Sequence, residues 1–272
     1  VRGPGKTEEH FAGPAGAAEV SFCCFFVPAA RHMAVGTFPL MTLRIDFHVH
    51  SFFSADGVSS PEDLIASARA ARLNAFAVTD HNTCEAVDYM ISRGLMRADG
   101  QPVDGLLVIP GIEVTTADGH LLCLGCVLPP SLKGRPSAEV CELAHAAGGI
   151  CIAPHPYDLF RAGIRESVLD ALPLDGLEVF NAATTMKRHN RKAYDYAQRR
   201  GLPMTAGSDA HHAGAVGVAC TIVESDDFSV RGVIDALQRG TELEQQYLST
   251  RQTIRKTWNN WFRLRRHPRR TA

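Results

Sequence analysis

The chain has 272 residues, of which 45% are hydrophobic and 21% charged. That gives room for one barrel-sized domain or two small ones, with a core large enough to need no disulfide staples. The formal net charge of −1 excludes a global field steering the protein to nucleic acid or acidic lipid, so any attraction for phosphate has to be local.

Residues 1–40 are rich in Gly, Ala and Pro and hold no sustained period. The apolar run 21–28 (SFCCFFVP) is too short to cross a bilayer, and Glu8 and Glu9 upstream fit a secretory signal poorly. We expect this stretch to be a disordered leader or to lie upstream of the true start, with the folded domain opening at Met41. Gly3-Pro-Gly-Lys-Thr7 lacks the preceding strand and the glycine spacing of a P-loop.

Short apolar runs then recur: 43–47 (LRIDF), 75–78 (AFAV), 106–109 (LLVI), 121–127 (LLCLGCV), 149–153 (GICIA), 177–180 (LEVF), 203–206 (PMTA) and 218–223 (VACTIV). Each reads as a buried strand. Helical patterns lie between several of them. One opens at Ser60, which can cap, followed by Pro61 at the first helical position and Glu62 and Asp63 against the dipole. Others cover 137–147, 192–200 and 230–239, the last stopped by Gly240. Strands alternating with helices imply an α/β fold with a mostly parallel sheet. Closure into a barrel over 41–250 is the economical arrangement. An open doubly wound sheet lacks the GxGxxG that would support it. Residues 251–272 form a basic tail with Trp258, Trp261 and five arginines from Arg263 onward, read as a solvated helix packing its Trp side chains on the barrel.

Eight cysteines are present. Cys123, Cys126, Cys151 and Cys220 sit in apolar runs as small hydrophobes, a usage that fits a reducing, cytoplasmic setting better than a disulfide framework. Cys123 and Cys126 have CxxC spacing, but within a strand residues three apart face opposite ways, which argues against a shared zinc ion.

Metal-type side chains follow the strands. His48, His50 and Asp56 come after the first run, Asp80 and His81 after the second and Glu113 after the third. His155 follows the fifth run, Asn181 the sixth, and Asp209, His211 and His212 the seventh. His120 stands before its strand and fits this register least well. Asp80 reads as a partner that orients His81. In a parallel barrel the strand ends converge on one face, where active sites are built. Buried His, Asp and Glu are costly there unless a divalent metal draws them together. His48 and His50, two apart in extended chain, point the same way and can share an ion. Any one of these residues alone has an ordinary structural reading; the joint register carries the signal. His10, His32, His145, His189 and His267 read as surface.

The motifs HVHSFFSADG, TDHN, PGIEV, GHLL, PHP and GSDAH, in that order, resemble the polymerase and histidinol phosphatase (PHP) family from about Thr42 to Ser249. The resemblance implies a distorted (β/α)7 barrel with its metal site at the C-terminal ends of the strands, and two or three divalent ions (Mn, Zn or Fe). It implies that His48, His50, Glu113 and Asp209 hold one ion. Glu113 would bridge to a second with His120 and His155, and Asp56, His81 and His211 would hold a third. Asp56 stands where many members have His, and Cys123 where some have a second His. The stretch between Glu113 and His155 is short, as in a minimal member, and the chain lacks the length of a polymerase.

The activity so implied is metal-dependent phosphoesterase hydrolysis of a small phosphorylated substrate or a nucleotide or oligonucleotide, with no membrane partner. His81 or His211, if not metallated, is the candidate to protonate the leaving group. Arg161, Arg165 and Asn181 are the candidate substrate contacts, with Lys187 and Arg188 near the same loops. The alternatives are an amidohydrolase-like C–N hydrolase, disfavoured because no Lys lies in the strands, and a non-catalytic metal- or phosphate-binding module.

Overall fold

A computed structural model describes residues 39–249 and Gln252. The expected leader, apart from its last two residues, and the basic tail, apart from Gln252, lie outside the described residues.

The elements in chain order are β1 (Met41–Val49), α1 (Pro61–Ala70), β2 (Ala75–Val78), α2 (Glu85–Ser92), β3 (Leu107–Thr115), β4 (His120–Leu124), α3 (Ser137–Ala146), β5 (Ile150–Ala153), α4 (Glu166–Leu169), β6 (Gly176–Asn181), α5 (Lys187–Arg200), β7 (Met204–Gly207), β8 (Cys220–Ser225), α6 (Val230–Leu237) and β9 (Glu242–Glu244). They form one sheet in the order β7-β6-β5-β4-β3-β2-β1-β8-β9. The sheet curls into the expected distorted barrel. β1 lends its first half to antiparallel β8 and reaches β7's side with its last residues, through a parallel bridge from Val49 to Ala210. The His50 amide donates to the Ala210 carbonyl at 2.8 Å. Buried Asp46 pins the same seam, accepting from the Ser208 amide at 3.0 Å and the Gly217 amide at 2.9 Å.

The sheet is less parallel than strand–helix alternation alone suggests. β1–β2, β2–β3, β5–β6 and β6–β7 are parallel, but β4 runs antiparallel to both β3 and β5. The reason is local: only four residues join β3 to β4, and a connection that short can only return antiparallel.

Period-two alternation sorts the strand side chains into two layers. Leu43, Ile45, Phe47, Ala75, Ala77, Leu107, Ile109, Leu122, Leu124, Ile150 and Ile152 fill the interior. Val233, Ile234, Ala236 and Leu237 of α6 pack into the same cluster. These strand residues come largely from the entry ends of the parallel strands, so α6 stoppers that end and leaves the opposite end open for chemistry. The outer layer packs Val108, Val114, Cys123, Cys151 and Val179 against Leu64, Met90, Val140 and Tyr196 of the helices.

Local signals explain the helix ends. Ser60 accepts from the Asp63 amide at 3.1 Å, and Ser229 caps α6 through the Gly232 amide at 3.1 Å. Gly201 ends α5 in the left-handed region at φ 63°. Helix α2 falls outside the sequence reading because its cap position is Cys84, which offers no side-chain cap, so no start signal precedes it. Strand β9 escapes because three exposed or half-buried residues carry no apolar run. The CxxC pair also needs correction: β4 ends at Leu124, so the opposite-face rule does not apply, and Cys123 and Cys126 join one apolar cluster. They share no metal-type group among the described residues.

Candidate metal centre

The exit ends of the parallel strands deliver the donors. β1 runs into His48 and His50, and β2 leads to Asp80 and His81, with Asn82 turning the chain at φ 55°. β3 carries Glu113 within its length, paired by a parallel bridge to His81. β5 and β7 exit into His155 at φ 31° and Asp209 at φ 52°. Non-glycine residues in this region are uncommon and recur where surrounding structure forces a site. His120 joins because β4 is antiparallel: its first residue pairs with Thr115, the last residue of β3. Standing before its strand thus puts His120 at the same mouth as the residues that follow theirs.

Glu113 is the hub. Its Oε2 lies 3.2 Å from His48 Nε2, 3.2 Å from His50 Nε2 and 3.3 Å from His81 Nδ1. Its Oε1 lies 2.8 Å from His120 Nδ1 and 3.2 Å from His155 Nε2. The Nε2 atoms of His48 and His50 are themselves 3.1 Å apart. Two donors each about 2.1 Å from one ion stand about 3.0 to 3.4 Å apart, at octahedral or tetrahedral angles. Asp209 Oδ1 completes this side, 3.6 Å from His50 Nε2 and 3.9 Å from His48 Nε2. Asp56 Oδ2 lies 2.8 Å from His211 Nε2 and 3.4 Å from His81 Nε2. Four overlapping sets of donors at this mouth therefore stand within 4.8 Å of one another: His48/His50/Glu113, His48/His155/Asp209, His81/Glu113/His120 and His50/Asp56/His81/His211.

Hydrogen-bond chemistry shows why these sets fit cations. The Nδ1 of His211 lies 2.8 Å from the Asp209 carbonyl, which can only accept, so Nδ1 carries the hydrogen. In the neutral ring Nε2 then presents a lone pair to Asp56. His48 repeats the pattern: Nδ1 donates to Glu178 Oε1 at 3.0 Å, which leaves the Nε2 lone pair facing Glu113. The Nδ1 atoms of His81, His120 and His155 are buried without a hydrogen-bond partner, although Glu113 oxygens lie within ion-pair distance of the first two. Donors that crowd together without pointing at one another are arranged as ligands. Imidazole nitrogen with carboxylate oxygen suits divalent metals of the Mn, Fe and Zn range.

The charges lean on one another. Burial opposes charging the His48 ring, but Asp209, Glu113 and Glu178 raise its pKa well above the ordinary value. Burial likewise opposes charging His81, yet Glu113 and Asp56 push it up to about 9. Burial opposes ionising Glu113, and His81, His48 and His120 nonetheless hold it well below the usual carboxylate range.

A supporting layer holds the donors. Glu178 accepts from His48 Nδ1, from the His155 amide at 2.7 Å and from Asn181 Nδ2 at 2.8 Å. Asn181 also donates to Asp209 Oδ2 at 3.1 Å. Arg161 pairs with Asp209 Oδ2 and donates to Asn181 Oδ1 at 3.2 Å. Sequence reasoning missed Glu178, although a carboxylate inside the apolar run LEVF was the signal that marks it. It also misassigned Asp80, whose carboxylate accepts from the Ser51 amide at 2.6 Å and Ser51 Oγ at 2.5 Å, and so anchors the loop after β1 rather than orienting His81.

The structure brings all nine expected ligands to this mouth, with Arg161 and Asn181 beside them. It does not bring Arg165, which is exposed and lines a cavity of about 650 Å³ together with Tyr157, Arg188, His189 and Lys192. No donor of the four sets lines that cavity. His189, expected on the surface, has a side chain only 13% exposed, 3.6 Å from Asp158 Oδ2.

Comparison with known proteins agrees with this architecture. The family model for the PHP domain matches residues 46–199, and that for the PHP-associated region matches 187–242. The chain is 30% identical over 151 residues to the Methanocaldococcus jannaschii protein MJ1587, covering 52% of this chain and 82% of that protein. It is 26% identical over 200 residues to a protein of Yersinia enterocolitica named "Probable phosphatase YE2421", covering 64% of this chain and 81% of that one. Among solved structures, a protein of Bacteroides vulgatus described as a "two-domain protein containing predicted PHP-like metal-dependent phosphoesterase" superposes with a TM-score of 0.61 at 20% identity, over 86% of this chain and 75% of that one.

Proposed function

This chain belongs to the PHP domain family, and from that membership and its donor geometry we propose that it is a metal-dependent phosphoesterase hydrolysing a small phosphorylated substrate, a phosphomonoester or a nucleotide-type ester. The observation that carries this reading is Glu113, whose two oxygens divide between the His48/His50/His81 side and the His120/His155 side.

In this reading His48, His50, Glu113 and Asp209 hold one divalent ion, Glu113, His120 and His155 a second, and Asp56, His81 and His211 a third, the ions being Mn, Zn or Fe. Such ions supply Lewis-acid polarisation of the phosphoryl group and a water acidic enough to attack at neutral pH. The protein's own residues do the rest. Arg161, now turned onto Asp209, is the group that holds phosphate oxygens, positioned by Asn181. His81, 18% exposed at the mouth, and His211 behind it are the proton donors to the leaving oxygen wherever they are not metal-bound. The described strands carry no lysine, which disfavours a C–N hydrolase built on a bridging lysine. No helix among the described residues is long and apolar enough to cross a membrane. The six free cysteines among the described residues, all buried, support a reducing, cytoplasmic setting.

The test is phosphate release from a panel of phosphomonoesters and diesters by metal-analysed protein with added Mn²⁺, beside His48→Ala and Asp209→Ala. Metal-dependent release abolished in both variants supports the reading. Bound metal with no hydrolysis of any phosphoester overturns it.

A further inference from the structure

A second set of metal-type donors lies at the other end of the barrel. Helix α3 places Cys141 and His145 four residues apart, on one helix face a turn from each other. Cys151, the second residue of β5, is fully buried and shares the outer apolar layer with Cys141. Its amide donates to Asp175 Oδ2 at 2.8 Å and its carbonyl accepts from the Asp175 amide at 2.9 Å. The same Oδ2 lies 2.7 Å from His145 Nε2. Donor atoms of His145, Cys151 and Asp175 all stand within 4.8 Å of one another. Cys141 is buried in the same apolar layer but lies outside this donor set.

From this juxtaposition we propose that His145, Cys151 and Asp175 form a binding site for one thiophilic divalent cation of the zinc class, which ties α3 to β5 and to the entry of β6. One sulfur, one imidazole and one carboxylate supply three ligands of a tetrahedral zinc site, with solvent left to take the fourth position. Magnesium and calcium, which favour oxygen, fit it poorly. A His145–Asp175 ion pair alone accounts for the polar atoms but not for the fully buried Cys151 thiol standing within 4.8 Å of both. The His145 and Asp175 side chains are 35% and 28% exposed, which leaves the ion a route from solvent to the buried sulfur. Binding displaces one proton from the Cys151 thiol to solvent, with no change of oxidation state. The site stands at the strand entries, and α6 braces it through Gln238 Nε2, which donates to the Asp175 carbonyl at 2.9 Å.

Cobalt(II) titration of the chelator-stripped full-length protein tests this. No cysteine belongs to the donor sets at the catalytic mouth, so a thiolate-to-cobalt charge-transfer band reads this site separately from any ion there. We expect a band that saturates at one ion per chain and is lost in Cys151→Ser. The solvent-facing His145→Ala and Asp175→Asn should weaken cobalt binding by at least about tenfold. Cys123→Ser, beside Cys151 on the neighbouring strand, and Cys141→Ser, both outside the donor set, should keep the band. Manganese-supported phosphate release should be unchanged in His145→Ala, whose circular dichroism should match wild type. Cobalt bound without the band, a band surviving in Cys151→Ser, or a band lost in Cys123→Ser would each overturn the proposed ligand set.

Discussion

His48 Nδ1 lies 3.0 Å from Glu178 Oε1, and this contact decides which nitrogen of the ring faces the metal centre. A carboxylate accepts only, so it holds the hydrogen on Nδ1 and leaves Nε2 as the ligand atom. Glu178 also accepts from the His155 amide and from Asn181, so it steadies three parts of the site. Carboxylate partners of this kind tune affinity without touching the ion. Glu178→Gln should therefore keep the fold and weaken metal binding by about 10- to 100-fold. Calorimetric titration with Mn²⁺ measures it; an unchanged affinity would deny Glu178 this role.

Gly207 makes room for that contact. A Cβ at this position would fall 2.4 Å from Glu178 Oε1 and 2.8 Å from His48 Cβ. Gly207→Ala forces both side chains to move in a packed interior, which typically costs about 1–3 kcal/mol. The variant should melt at lower temperature and also bind less metal than wild type. A melting shift with intact metal affinity would place the strain elsewhere.

Metal loading should release protons. Burial opposes charge on His81, but Glu113 and Asp56 push its pKa up to about 9, so at neutral pH the metal-free ring is protonated. An ion needs the neutral ring and must displace that proton. Apparent metal affinity should therefore rise with pH up to about 9, and flatten above it. The sign for metal-free stability is opposite: the stabilisation from the charged ring is complete below the unfolded value and is lost as pH rises through about 9. Titration calorimetry in two buffers of different ionisation enthalpy counts the protons. No buffer dependence at pH 7 would contradict the charged state of His81.

Arg161 is held by Asp209 and Asn181 and, among the described residues, is the arginine paired with a carboxylate of the cluster. If it receives phosphate, Arg161→Ala should lower kcat/KM by about 10- to 100-fold, the range of one or two charge-assisted hydrogen bonds. Arg161→Lys should recover only part of this, because a point charge cannot reproduce a planar fork. Equal kcat/KM in wild type and Arg161→Ala would remove it from substrate binding.

Much of this site was legible along the chain. Residues such as His48, His81, Glu113 and Asp209 each follow or end an apolar run, and parallel strands bring such ends to one face. That rule needs only the local pattern, which is why the donors and the barrel could be read together. Glu178 was less legible: its partner His48 is 130 residues away, and nothing local names that partner. Arg165 misled because a basic residue in a strand-end loop looks the same whether it turns toward the metal centre or toward a neighbouring cavity.

The sequence by itself determined which residues are apolar, where most strands and the capped helices begin, and which side chains have lone pairs to offer a metal. The tertiary structure alone decided that α6 closes the opposite end, and that Glu178 selects the nitrogen His48 presents. The physical reason is common to both. A helix's docking face and a ring's tautomer are set by partners distant in the chain, through packing and hydrogen bonds that no local pattern encodes.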